Sequence, residues 1–167
     1  MRYFPAALAL SLFVGVTASV GVAESEVTNP RVAALLAEGR AKMDAGQLQD
    51  AIGAFEAALA IAPGQSAIYL ALAEAERQVG MQGKAIHYYR EALEREPGSF
   101  TAIAGEGEAL VEKGAVEKAR LNLAKLKSMC GEGCAETQAL AAAIAAGPPP
   151  QVAAAEAVPA EPAVTQN

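Results

Sequence analysis

The sequence predicts an all-α chain built from stacked helical hairpins, and three observations carry that prediction. The first is composition: 41 of 167 residues are Ala, eight are aromatic and none is Trp. Ala loses no side-chain entropy in a helix, whereas a β-sandwich draws on β-branched and aromatic side chains that are scarce here. The second is a period of 34 residues. Gly46, Gly80 and Gly114 share it, as do Ala51, Ala85 and Ala119; Phe55, Tyr89 and Leu123; Leu35, Tyr69 and Ile103; and the small residues Gly39, Ala73 and Gly107. Matched residue types at one fixed offset mark a repeat architecture. The third is punctuation: each Gly of the 46, 80, 114 series ends a helical pattern, and Pro63 and Pro97 close the segments that follow.

The elements follow in order. The first hairpin pairs a helix over 32–44 with one over 48–61, turning at Ala45-Gly46-Gln47. Gly46 supplies the left-handed residue just past the first helix, which Gly adopts without a Cβ penalty. Pro63 stops the second helix. Gly39 and Ala51 allow the two helices to approach closely, and Leu35, Leu48, Phe55 and Leu59 fill the seam. The second hairpin runs 66–79 and 82–96, and the third 100–113 and 116–129, with Gly131 standing where a third Pro would fall. A helix over 135–146 turns Leu140 and Ile144 inward at i, i+4 and caps the stack, because repeats bury their apolar faces on neighbours and need specialised ends.

The two ends are expected to be something else. Residues 1–23 read as a signal peptide: Met1-Arg2 is a short positive start, Ala6 to Val16 is apolar, and Gly21 and Ala23 suit cleavage before Glu24. The alternative is an uncleaved membrane anchor, since 3–23 carries no charge and is long enough to span a bilayer. Residues 24–31 form a lead-in, and 147–167, opening Gly147-Pro148-Pro149-Pro150, a disordered Pro/Ala-rich tail. Export would place the chain in the periplasm or outside the cell, with no membrane insertion once the signal is removed.

Charge and titratable groups exclude several functions. With 13 Lys+Arg against 19 Asp+Glu the net charge is −6, so no basic face for nucleic acid is expected. One His and two Cys cannot complete a tetrahedral N/S zinc site without carboxylates, so neither metal nor other cofactor is expected. His87 lies on a second helix away from any groove, and Glu74/Glu76 and Glu106/Glu108 are i, i+2 pairs that point apart on a helix. Gly105-Glu106-Gly107-Glu108 follows no strand and sits inside a helix. No enzymatic activity is expected. Cys130 and Cys134, separated by Gly131-Glu132-Gly133, can form a disulfide in an oxidising compartment. A thiol-redox pair is the alternative, without the Cys-x-x-Cys spacing.

The repeat resembles the tetratricopeptide repeat family. The second unit carries the resemblance in Tyr69, Leu72, Ala73, Gly80, Ala85, Tyr89, Ala92 and Pro97, and the first in Leu35, Gly39, Gly46, Ala51, Phe55, Ala58 and Pro63, with Glu38 at a usually apolar place. The third is divergent, keeping Ile103, Gly107, Leu110, Gly114 and Ala119. The units span 32–65, 66–99 and 100–133. The Cys-bearing turn and added helix are similar to short exported bacterial members. The resemblance implies a right-handed superhelix of three hairpins plus the cap, and a partner that is another protein or a peptide lying in the concave groove. Its groove positions fall on Leu36, Arg40 and Met43, on Leu70, Glu74 and Arg77, and on Ala104, Glu108 and Val111. Alternatively Leu36 and Leu70 pack between repeats and Arg40 and Glu74 form a solvated ion pair. The function expected is a non-catalytic periplasmic scaffold or adaptor that helps assemble an envelope complex; a self-associating structural module is the rival.

Overall fold

The computed structural model describes residues 29–149, so the signal peptide expected over 1–23, most of the lead-in, and the tail from Pro150 onward lie outside the described residues. Seven α-helices and no strand occur among those residues: α1 (Pro30–Asp44), α2 (Leu48–Ile61), α3 (Ser66–Gln78), α4 (Gln82–Arg95), α5 (Phe100–Glu112), α6 (Val116–Cys130) and α7 (Ala135–Ala146). The fold is an all-α superhelical stack.

The first helix begins at Pro30 rather than at residue 32. Asn29 Oδ1 accepts the Arg31 N–H at 3.0 Å, and Pro30 takes the first helical position, where a missing N–H costs nothing. The short turns inside the hairpins obey one rule: Gly46, Gly80 and Gly114 have φ of 73°, 86° and 85°. No atom lies within 4 Å of where a Gly80 Cβ would stand, so only backbone conformation resists a side chain there. Gly80→Ala is expected to destabilise the chain by about 1–2 kcal/mol, the cost of holding an L-residue in the left-handed region. Urea denaturation checks this, and unchanged stability would mean that the turn relaxes freely.

Consecutive helices pack pairwise, α1 on α2, α3 on α4 and α5 on α6. The backbones of the first helices of successive hairpins also come close, α1 to α3 and α3 to α5, whereas those of α2 and α4, or of α4 and α6, stay farther apart. Closer spacing in the first layer curves the stack toward it, so α1, α3 and α5 line the inner face. The cap α7 packs on both α5 and α6.

Two cores result. One joins Val32 and Leu36 of α1, Ile52 and Phe55 of α2, and Ile68 and Leu72 of α3; the other joins Tyr69, Tyr89, Ile103, Leu110, Leu126 and Leu140. Helix α3 feeds both, presenting Ile68 and Leu72 to the first and Tyr69 and Ala73 to the second. The small residues act as seats: a Cβ on Gly39 would stand 2.2 Å from Phe55 Cε1, one on Gly105 2.4 Å from Tyr89 Cε1, and one on Gly107 2.6 Å from Leu140 Cδ2. The last seat is what docks the cap.

Buried charges are tied locally. Glu76, 1% exposed, accepts from Lys84 Nζ at 3.1 Å across the α3–α4 turn. Glu106 accepts from Arg90 Nε at 2.7 Å and Asn122 Nδ2 at 3.0 Å, fastening α5 to α4 and α6. Cys130 and Cys134 are joined as a disulfide with Cα atoms 5.8 Å apart, a separation natural to such bonds. The Thr137 hydroxyl donates to Cys130 Sγ at 3.4 Å, placing the bond at the base of α7.

Candidate peptide-binding groove

Helices α1, α3, α5 and α7 leave two clefts on the inner face. The first, about 290 Å³, lies between α1 and α3 and is lined by Arg40, Met43, Phe55, Ala67, Leu70, Ala71 and Glu74. The second, about 300 Å³, is lined by Glu74, Tyr89, Thr101, Ala104, Gly105, Glu108, Ala135, Glu136 and Ala139. Glu74 borders both, so the two clefts adjoin at α3.

Of the nine positions expected to line the groove, Arg40, Met43, Leu70, Glu74, Ala104 and Glu108 border the clefts. Leu36, Arg77 and Val111 do not, Arg77 lying behind the Glu74 and Glu108 carboxylates that it pairs with. Leu36, 6% exposed, sits one turn after Val32 on the face turned to α2 and α3. Val111, 2% exposed, lies one turn after Gly107, on the face that the cap covers through Leu140. Its counterparts in uncovered repeats, Met43 and Arg77, stay partly open. Spacing could not show this, because α7 stands outside the repeat. The same helix contributes the cleft residues Ala135, Glu136 and Ala139, which sequence reasoning missed. Thr101 and Gly105 were missed too; the fit of the Tyr89 ring over Gly105 is the signal that small residue carried.

Electrostatically the groove turns on Arg77. Its guanidinium meets the Glu74 carboxylate through Nε at 3.3 Å and Nη2 at 3.2 Å, and through Nη1 reaches Glu108 at 3.1 Å and Glu112 at 2.7 Å. Glu74 also accepts from Gln78 Nε2 at 3.0 Å and the Tyr89 hydroxyl at 3.1 Å. The alternative Arg40–Glu74 pair does not form; Glu74 is instead held by Arg77, three residues away on the same helix. Burial works to raise the Glu74 carboxyl, yet Gln78, Arg77 and Tyr89 hold it below its usual value. Glu108 goes the other way: burial and the neighbouring carboxylates Glu74 and Glu112 outweigh Arg77 and push it up. Burial, with the adjacent Glu74 charge, pushes the Tyr89 phenol far up, so it stays a donor. Glu112 Oε2 is buried with no donor, a sign that three carboxylates share too few N–H groups.

Elsewhere the chemistry is plain. His87 is exposed on α4 beside the Tyr88 ring, 5.4 Å between centroids. Glu74 and Glu76 diverge to Arg77 and Lys84, and Glu106 and Glu108 to Arg90 and Arg77. Among the described residues no three His, Cys, Asp or Glu side chains converge as a metal site, and no helix is long and apolar enough to cross a membrane.

The profile of the tetratricopeptide repeat family matches residues 27–151, about three quarters of the sequence. The chain belongs to the tetratricopeptide repeat family. Among curated proteins no sequence matches it. Solved structures of other tetratricopeptide repeat proteins share the fold. The type III secretion translocator chaperone SycD of Yersinia enterocolitica superposes with a TM-score of 0.64 at 20% identity, over 72% of this chain and 94% of that one. The Sgt2 TPR domain of Aspergillus fumigatus gives 0.64 at 24% identity, over 69% and 78%. A complex of yeast Sti1, its TPR2B domain with pHsp70, gives 0.63 at 18% identity, over 71% and 98%.

Proposed function

We propose that this tetratricopeptide repeat protein is a non-catalytic adaptor that holds a segment of another protein along its inner groove. It acts after export, in the bacterial periplasm, where it helps assemble or position an envelope complex. The observation that carries the binding role is the pair of clefts that adjoin at Glu74, open on the curved face and lined by Met43, Leu70 and Ala104. Concave surfaces with apolar floors and few directed polar groups suit an extended or helical peptide. Two similar structures add support: SycD of Yersinia enterocolitica has been solved with a peptide of the translocator YopD, and the yeast Sti1 domain with pHsp70. The apolar run after Met1-Arg2 supports export, and the disulfide across the α6–α7 turn suits an oxidising compartment.

Filling the clefts tests this. Ala67→Trp and Thr101→Trp place a ring in the first and second cleft from exposed positions, while Ala57→Trp adds the same bulk on the outer helix α2. With the full chain as bait in envelope extracts, both groove variants should lose capture of the wild-type partner by about tenfold or more, a change of at least 1.4 kcal/mol. The α2 variant should retain it. Equal recovery by all three would discard the groove.

A further inference from the structure

The two clefts differ in chemistry, and the difference specifies what the groove accepts. The first presents Met43, Leu70 and Ala71 above the buried Phe55 ring, with Arg40 beside them. The second carries three carboxylates, Glu74, Glu108 and Glu136, no Lys or Arg, and walls of small residues such as Ala104, Gly105 and Ala139. The nearby Arg77 cannot balance them, since it already meets Glu74, Glu108 and Glu112. Glu136 has no cation partner among the described residues. The Cys134 sulfur lies 3.1 Å from its Oε2, and a disulfide sulfur has no proton to give. Three carboxylates thus share one guanidinium, and a fourth, Glu136, lines the same cavity, which is large enough for a side chain.

We infer that the groove selects an extended protein segment in which a Lys or Arg stands near a large apolar residue, the cation seated between Glu108 and Glu136 and the apolar group against Met43 and Leu70. This rests on the adaptor reading above and adds the chemistry of the partner. A long basic side chain fits because its aliphatic stem lies along alanine walls while its charged head reaches the carboxylates. Complementary charge also steers encounter with a chain whose net charge is −6. The protein's own C-terminal segment is the wrong occupant: residues 150–167 include Glu156 and Glu161 but no Lys or Arg.

Selection of a random-peptide display library on the full chain tests the inference, followed by titration calorimetry with a synthetic enriched peptide. Enriched sequences should pair Lys or Arg with Leu, Phe or Met. Joint Glu108→Gln and Glu136→Gln should weaken binding about tenfold or more, as loss of charge-assisted hydrogen bonds does. Replacing the peptide's cation by norleucine should weaken wild type equally and add nothing in the double variant, and melting by circular dichroism should show the variant folded. Enriched peptides without a cation, or binding unmoved by the double variant, overturn the charge assignment. Displacement of the enriched peptide by a synthetic 147–167 segment overturns it in favour of the protein's own tail. If peptides bind and Ala67→Trp or Thr101→Trp blocks them while the Gln changes do nothing, the groove stands and only its selectivity falls. If the Trp variants do not block, or no peptide is enriched over them, the groove reading itself is lost and this inference with it.

Discussion

Phe55→Ala is expected to lower the stability of the fold by about 3–5 kcal/mol, the range for emptying a buried aromatic site. The ring is wholly buried, and its edge occupies the space that a side chain on Gly39 would need, 2.2 Å from where that Cβ would stand. It therefore sets the spacing of α1 and α2 while also touching the core shared with Ile68 and Leu72 of α3. Collapse around the void is limited, because Ala51 and Ala58 beside it are already as small as a helix permits without glycine. Repeat proteins distribute stability over units and their interfaces. The lesion should accordingly speed amide exchange in α1 and α2 before α5 to α7. Urea denaturation followed by far-UV circular dichroism gives the total, and a loss under about 1 kcal/mol, typical of an unremarkable site, would show that the ring is not the spacer.

What the sequence made legible was what depends on one residue or on one repeat. Gly46, Gly80 and Gly114 announce left-handed turns by type and spacing, and the structure puts all three at positive φ. Gly39 with Phe55, and Gly107 as a place of close approach, follow from small residues set opposite large ones. The Arg77 cluster was less visible, although its signal was present. Adding one period to 77 gives 111, and Glu108 and Glu112 flank that position on α5, so the repeat itself carries Arg77 to them. Arg40 and Glu74, the ion pair offered as the alternative to a groove, also differ by one period, but a period reports adjacency and not preference. Glu74 is taken by Arg77 on its own helix and by Tyr89 on the next. The burial of Val111 and the α7 wall of the second cleft were beyond reach, because the cap breaks the pattern on which the reading depended.

Arg77→Met should cost about 1.5–3 kcal/mol at neutral pH, the range for hydrogen bonds to charged groups, with a share screened by solvent at this half-open site. Met keeps the unbranched apolar stem, so the change isolates charge from packing. It leaves Glu74, Glu108 and Glu112 facing one another without their common cation. The pH dependence separates the causes. In the wild type, burial raises the Glu74 carboxyl but Gln78, Arg77 and Tyr89 bring it below its unfolded value, so Glu74 contributes stability that is lost as pH falls through the carboxylate range. Glu108, raised by burial and then by its acidic neighbours, does the reverse: its cost appears as pH climbs past the ordinary carboxylate value of 4.5. Without Arg77 the Glu74 carboxyl moves toward the behaviour of Glu108, and Glu108 loses the one charge that opposed its rise. The deficit of the variant should therefore be small where Glu74 and Glu108 are protonated and grow as pH rises to neutral. Denaturation curves of both proteins across that range decide the matter. A deficit that stays constant with pH would assign the role of Arg77 to the packing of its stem, and the cluster of carboxylates would lose its place as the feature that gives the groove its charge.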